Sequence, residues 1–313
     1  YLLSVSVRSI ALKLSIALKG SSMSKSSLGI WVDGARPRTL PAAIAPVLVA
    51  TALAGDSFNP LTAALALLVS LALQVGVNYA NDYSDGIRGT DNDRIGPSRI
   101  TAGGLAKPAQ VKSAAFISFG VAAVAGLGLA ITTSWWLIAV GAISIAAAWG
   151  YTGGKSPYGY MGLGELFVFI FFGLVATMGS YFAQSEKLTW QALLLAIPMG
   201  SLSCTILGLN NLRDRPKDEI VGKRTLAVRL GDKKARQALI ALLALALISS
   251  LTVTAITPWA LLVLLTLPIQ YILIKGIAGG TTGSGLIRLL GKAGELQLLT
   301  SLLITFALLI TKA

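Results

Sequence analysis

The chain of 313 residues contains no histidine and a single cysteine, Cys204. Without imidazole there is neither a histidine general base nor a histidine metal ligand. One thiol inside an apolar run makes neither an internal disulfide nor a cysteine metal site. Charge is scarce too. Only 12% of residues are Asp, Glu, Lys or Arg, against about 25% in soluble domains, while 54% are hydrophobic and mean hydropathy is +0.74. That balance excludes an extended soluble domain and indicates a polytopic membrane protein. Acid is scarcest of all, 13 Asp and Glu against 26 Lys and Arg, for a net charge of +13. In a soluble protein such an excess would point to nucleic acid. Here positive loops on the cytoplasmic side of a membrane account for it, and no nucleic-acid partner is expected. Chemistry is left to carboxylates, Arg, Lys, Tyr, Ser and Thr.

Nine apolar segments are each near the ~17–25 residues that span a bilayer as a helix: 38–55, 61–81, 113–132, 134–151, 163–183, 190–210, 236–256, 258–275 and 294–311. The expected fold class is all-α, a polytopic membrane protein with nine transmembrane helices in one bundle. Small residues recur within the segments, as at 122–130, and let such helices pack closely. Residues 1–28 read as an N-terminal extension, disordered or lying at the interface, because Met23 precedes a more ordinary start; residues 29–313 form the intramembrane domain. With the N-terminus inside, every Lys and Arg except Lys187 and Lys312 falls in a cytoplasmic segment. This asymmetry sets the topology and predicts a multi-pass protein of the plasma membrane.

Against that background, two acidic clusters stand at the ends of hydrophobic helices. The first runs Asn78-Tyr-Ala-Asn81-Asp82-Tyr-Ser-Asp85 and on to Asp91 and Asp93; the second runs Asn210-Asn211-Leu-Arg213-Asp214-Arg-Pro-Lys-Asp218-Glu219. Together they hold more than half of all the acid in the chain, and both fall on the cytoplasmic side. Carboxylates beside a membrane are costly without compensation, so their concentration argues for a bound cation. Basic residues lie in the same stretches, and acid with base suits a Mg²⁺-bridged phosphate, since Mg²⁺ takes few protein carboxylates and shares phosphate oxygens. Residues four apart share a helix face, which aligns Asn78 with Asp82, Asn210 with Asp214 and Asp214 with Asp218, while Asp85 extends the first face by a turn. Two such faces across a cavity would hold two Mg²⁺ ions bridged by a diphosphate. Arg88, Arg213, Lys223 and Arg224 would neutralise the remaining charge. The plainer reading, solvated helix ends with turn residues Gly86 and Pro216, does not explain two similar clusters on one side. Gly76-Val-Asn78 and Gly208-Leu-Asn210 form a weak internal echo.

A diphosphate beside apolar helices implies a lipid diphosphate whose allylic chain leaves as a cation and is captured by an electron-rich partner. The apolar helices would exclude water that quenches it. A transporter would instead place its polar residues near the bilayer middle. CDP-alcohol phosphotransferases share the opening Asp82-Tyr-Ser-Asp85-Gly86, but the following Ala-Arg is absent and the second acidic pair lies far downstream.

The stretches 81–91, Asp93-Arg-Ile-Gly-Pro-Ser-Arg99, Asn210–Asp214 and Gly222–Gly231 resemble the UbiA superfamily of intramembrane prenyltransferases. Within it they are similar to the actinobacterial branch that prenylates 1,4-dihydroxy-2-naphthoate in menaquinone synthesis. Ala35–Pro41 and Tyr151–Glu165 extend the resemblance, which covers roughly residues 29–313. It implies a nine-helix bundle and Mg²⁺-dependent transfer of a polyprenyl group from polyprenyl diphosphate to the naphthoate. Diphosphate and CO₂ leave, and demethylmenaquinone forms; 4-hydroxybenzoate is the alternative acceptor. The implied metal and diphosphate set is Asn78, Asp82, Asn211, Asp214 and Asp218. Gly86 stands where many members carry a further Asp, which leaves Asp85 and Asp91 as substitutes. The catalytic carboxylates are then Asp82, Asp85, Asp214 and Asp218. Asn81, Arg88, Lys155, Asn210, Arg213, Lys223, Arg224 and Arg36 complete the substrate-binding set.

Other features have plainer readings beside functional ones. Arg36 and Arg38 flank Pro37 and either hold the acceptor's carboxylate or anchor the helix. Tyr151, Tyr158 and Tyr160 read as an interfacial aromatic belt, and most of Phe167, Phe169, Phe171 and Phe172 as lipid-facing. Glu165 reads as an acid at a helix N-terminus. Lys223 and Arg224, just past Gly222, are placed to fold back over the site.

Overall fold

The computed structural model describes residues 26–90 and 99–311, and the expectations placed on residues 1–25, Asp91 and Asp93 lie outside them. Every regular element among the described residues is helical. Lipid offers the backbone no hydrogen-bond partners, so apolar runs must satisfy their own N–H and C=O groups, and the helix does so locally. The main helices are α1 (Ser27–Ala35), α2 (Pro41–Ala54), α3 (Pro60–Ile87), α4 (Pro108–Thr132), α5 (Leu137–Gly150), α6 (Gly164–Ser185), α7 (Trp190–Ile220), α8 (Leu226–Ala255), α9 (Pro258–Ala278) and α10 (Ser284–Ile310). Their starts are written in the sequence. Asn59 accepts the N–H groups of Leu61 and Thr62 ahead of Pro60, Thr189 accepts that of Ala192, and Thr225 that of Val228.

Seven of these helices are long and apolar enough to cross a membrane, and α1 with α2, bent by 55°, makes an eighth if counted as one span. The expected ninth, α5, has 14 residues, about 21 Å at ~1.5 Å per residue against a hydrocarbon core of ~30 Å. The first expected span is broken because Pro37 and Pro41 interrupt the hydrogen-bond ladder and Arg36 takes a left-handed φ of 54° between α1 and the turn Pro37–Thr39. Helices α3 and α7 run past the apolar stretches to Ile87 and Ile220, so Asp82, Asp85, Asp214, Asp218 and Glu219 lie on helix and not in loops. Helix α8 begins ten residues earlier than its apolar run, with an elbow at Gly231, whose φ of 72° suits glycine.

Helix α7 is the central post: 78% of its apolar window is buried, against 22% for α3 and α6. It packs on α8 through Leu202, Leu209, Leu239 and Leu243. Against α6 it comes closer still, since a Cβ on Gly173 would lie 2.7 Å from the Cα of Gly200. Gly173 sits in a π-helical stretch, Phe169–Val175, that interrupts α6, and such bulges re-aim the side chains around them. Helices α2, α3, α4, α5, α6 and α7 surround one cavity.

Candidate active site

The cavity measures about 260 Å³ and is polar at one end and apolar at the other. Its polar end is built from two helix faces. On α3 the lining residues Gln74, Asn78, Asn81 and Asp85 recur every three or four positions; on α7 Ser203, Leu207, Asn210 and Asp214 do the same, with Asn211 beside them. Arg36, Thr39, Arg99 and Lys223 join them from connecting segments. Two faces do meet across one cavity, but not the ones expected: Asn78, Asp85, Asn210 and Asp214 line it, while Asp82 and Asp218 do not. The apolar end is lined by Leu73, Leu129, Val140, Phe167, Phe171 and Phe172 among others. Three of the four phenylalanines therefore face the chamber and not lipid. Phe169 turns to Gly200 instead.

Asp85 is buried and holds the most connected position. Its Oδ1 accepts the Tyr160 hydroxyl at 2.7 Å, and its Oδ2 pairs with Lys223 Nζ at 3.4 Å. Burial and the Asp85 charge raise the Tyr160 phenol above the usual tyrosine range, with Lys223 opposing, so it stays an O–H donor. Asp214 meets Arg213 in a two-toothed pair, both contacts 2.7 Å. Asn81 Oδ1 accepts the hydroxyl of buried Thr152 at 2.7 Å. Asn78 donates to Ala35 O at 2.9 Å and to Thr39 Oγ1 at 3.0 Å, and Gln74 donates to the same hydroxyl at 2.9 Å. With its amide nitrogen spent there, the oxygen of Asn78 is left for the cavity. Asn211 is fixed likewise, donating to Glu165 Oε1 at 2.9 Å. Glu165 thus does more than greet a helix terminus: it orients a lining amide.

Other expected residues stand elsewhere. Asp82 is fully buried and absent from the cavity wall, because its two oxygens accept the N–H groups of Ile100 at 3.0 Å and Thr101 at 2.8 Å. It lies at the flank of the α3 face, about 100° round the helix from Asn81. Asp218 is buried one turn beyond Asp214 and also off the wall, its carbonyl accepting the Lys223 N–H at 2.8 Å. Arg88 donates to the carbonyls of Thr152 and Gly154 and leans on the Tyr160 ring. Lys155, Arg38 and Arg224 are exposed and off the wall. Of the fold-back pair, Lys223 returns to Asp85, whereas Arg224 contributes its backbone N–H to Tyr160 O at 3.1 Å. Tyr151 and Tyr158 line the cavity instead of forming an outward belt. Sequence reasoning missed Gln74 and Thr39. Gln74 carried a signal, a lone amide in an apolar run one turn before Asn78; Thr39, in the break after Arg36, carried none.

A helical membrane bundle enclosing one chamber with a charged end and an apolar body defines the class: a multi-pass intramembrane protein built to take an amphiphile. Residues 43–278 match the family model described as the UbiA prenyltransferase family. The chain belongs to that family and is an aromatic prenyltransferase. It is 48% identical over 284 residues to a 1,4-dihydroxy-2-naphthoate octaprenyltransferase of Mycobacterium tuberculosis, covering 90% of this chain and 97% of the relative. It is 34% identical to a protein of the same name from Bacillus subtilis, covering 92% and 94%. Among solved structures, a UbiA homologue from Aeropyrum pernix shares the fold with a TM-score of 0.66 at 15% identity, over 87% of this chain and 98% of that one. A digeranylgeranylglyceryl phosphate synthase shares it with a TM-score of 0.61 at 16% identity, over 90% and 99%.

Proposed function

We propose that the protein transfers a polyprenyl group from a polyprenyl diphosphate to 1,4-dihydroxy-2-naphthoate in a Mg²⁺-dependent reaction that releases diphosphate and CO₂ and yields demethylmenaquinone. The observation that carries this reading is the single chamber, with carboxylates and amides of α3 and α7 at one end and an apolar wall at the other. The names of the mycobacterial and Bacillus relatives support the acceptor and the donor.

The donor set fits Mg²⁺ shared with phosphate. One carboxylate from each helix, Asp85 and Asp214, opens on the chamber with amides of Asn78, Asn81, Asn210 and Asn211 beside them. The described residues hold no group of three or more acids able to bind a metal alone, so phosphate oxygens would have to complete the shell. When bound, the ion offsets the charge of the departing diphosphate. Lys223, Arg36 and Arg99 are placed on the wall to share that task. Asp82 and Asp218 act from behind: Asp82 anchors the segment that carries Arg99, and Asp218 the backbone of Lys223. Phe167, Phe171 and Phe172 keep water from the allylic cation.

Residues 29–313 form the catalytic domain, with nine crossings of the plasma membrane if the bent α1–α2 pair and α5 each count as one. Thr133 near the start of α5 bonds to Ala183 near the end of α6, while Thr152 past the end of α5 bonds to Asn81 near the end of α3. Helix α5 therefore carries the chain from one side of the bundle to the other. The ends of α3, α5 and α7 then gather on one side, which the basic loops assign to the cytoplasm, with the N-terminus inside.

The test is purified protein with Mg²⁺, a polyprenyl diphosphate, and either 1,4-dihydroxy-2-naphthoate or 4-hydroxybenzoate. Demethylmenaquinone from the first alone is expected. Prenylated hydroxybenzoate alone would move the acceptor, and no product from either would sink the reading.

A further inference from the structure

Tyr160 lies off the cavity wall, in the turn Tyr158–Met161 between α5 and α6, yet it touches two segments that build the charged end, the end of α3 and the loop after α7. Its hydroxyl donates to Asp85 Oδ1 at 2.7 Å, and its carbonyl accepts the N–H of Arg224 at 3.1 Å. Two cations lie over its ring, Arg88 at 5.1 Å and Lys223 at 4.9 Å from the centroid. Arg88 in turn grips the carbonyls of Thr152 and Gly154, so the turn is moored on both sides.

The two partners of Asp85 differ in kind. The Lys223 contact, 3.4 Å, is long beside the ~2.7–2.9 Å of a strong charged hydrogen bond, and a lysine ammonium on its flexible stem re-aims readily. The phenol contact is short, and its donor is neutral. A neutral donor fixes a carboxylate's direction without cancelling its charge, so Asp85 stays available to a cation. A diphosphate carries more charge than one carboxylate and draws Lys223 more strongly.

We propose that Tyr160 is a positioning residue, keeping the Asp85 carboxylate aimed at the cavity for a divalent cation while Lys223 is exchanged from Asp85 to the anionic head of the substrate. The inference rests on the proposed function, because it needs a cation and a diphosphate at this end of the chamber.

Tyr160→Phe removes the hydroxyl and keeps the ring under its two cations. With Mn²⁺ as probe and inorganic pyrophosphate present, binding followed by electron paramagnetic resonance should weaken about tenfold, as when a residue supporting a metal ligand is lost. The Mg²⁺ concentration for half-maximal turnover should rise alike, with kcat at saturating Mg²⁺ within about twofold. In an Asp85→Asn background the same change should add nothing, because two residues acting through one contact are not additive. That second comparison also separates positioning from a general loss of folding, which would weaken binding in both backgrounds. Unchanged Mn²⁺ affinity in Tyr160→Phe, or an equal drop in the Asp85→Asn background, overturns the proposal. A wild-type protein that turns over and binds Mn²⁺ keeps the proposed function standing in either event. A wild type that does neither overturns both.

Discussion

Helices α3 and α7 end on the same spacing of amide and acid, Asn78 to Asp82 and Asn210 to Asp214, yet the two acids have different surroundings. Asp214 lies on the cavity wall, paired with Arg213 beside it in the same helix. Asp82 is turned away, taken by the N–H groups of Ile100 and Thr101. The cause is the segment that returns against α3 beside Asp82. Gly86 lets residues 99–103 lie against the helix, since a Cβ there would come 2.5 Å from Thr101 Cγ2. Once seated, that segment has buried backbone donors to satisfy, and the nearest carboxylate does so. Asp85, three positions on, inherits the cavity-facing position that Asp214 holds on α7. Equal sequence spacing therefore gave unequal sites, because what packs beside each helix differs.

The sharpest way to break this comparison is to remove the acids in turn. Asp214→Ala and Asp85→Ala should each lower turnover by about 10²–10³-fold, the scale of losing one preorganised electrostatic group at a reacting centre. Prenyl transfer in detergent or vesicles reads the loss, and near-normal rates in both variants would detach this end of the chamber from the chemistry. Stability then separates Asp82 from Asp214. Asp82→Ala strands two buried N–H groups and should cost about 1–3 kcal/mol, read as a lower thermal midpoint in detergent. Removing the largely buried pair whole, Asp214→Ala with Arg213→Leu, strands no charge and should move that midpoint by less than about 1 kcal/mol. Equal midpoints would mean that the returning segment does not depend on Asp82.

A smaller effect is expected behind α7. Glu165→Leu leaves the Asn211 amide without its acceptor and should lower turnover about tenfold, with half-saturating Mg²⁺ raised, as for other supporting contacts to a metal or phosphate ligand. Unaltered Mg²⁺ dependence would deny Glu165 that part. Smallest is a change at the apolar end. Gly141 lines the chamber and has open space where a Cβ would go, so the methyl of Gly141→Ala fills room without a clash. One methylene of lost space is worth about tenfold or somewhat more, and the ratio of turnover on long against short polyprenyl diphosphates should fall accordingly. An unchanged ratio would place the chain elsewhere.

Much of the site was legible because amides and acids are rare in this chain. Asn78, Asn81, Asp85, Asn210, Asn211 and Asp214 stood out against apolar runs, and all six line one cavity. The aromatic residues were not legible. Tyr160 and the phenylalanines of α6 have the composition of a membrane belt, and nothing in their spacing distinguishes a chamber wall from a lipid face. The π-helical stretch at Phe169–Val175 shifts the register of α6, so a count of 3.6 residues per turn misplaces Phe167 relative to Phe171 and Phe172. The exposed position of Lys155 off the wall was not legible for a different reason: a basic residue in a loop looks alike whether it meets a phosphate or water.

By itself, the sequence determined that the chain is a helical membrane bundle with its acid gathered at two helix ends, because hydropathy and the cost of charge in lipid act on each residue wherever it packs. Its lack of histidine and its one cysteine likewise settled which chemistries were closed. Only the tertiary structure decided which acid of each cluster faces the cavity, that Tyr160 braces Asp85, and that Glu165 turns Asn211. Those assignments depend on which donor lies nearest a given oxygen, and that is fixed by segments 18 to 75 residues distant along the chain.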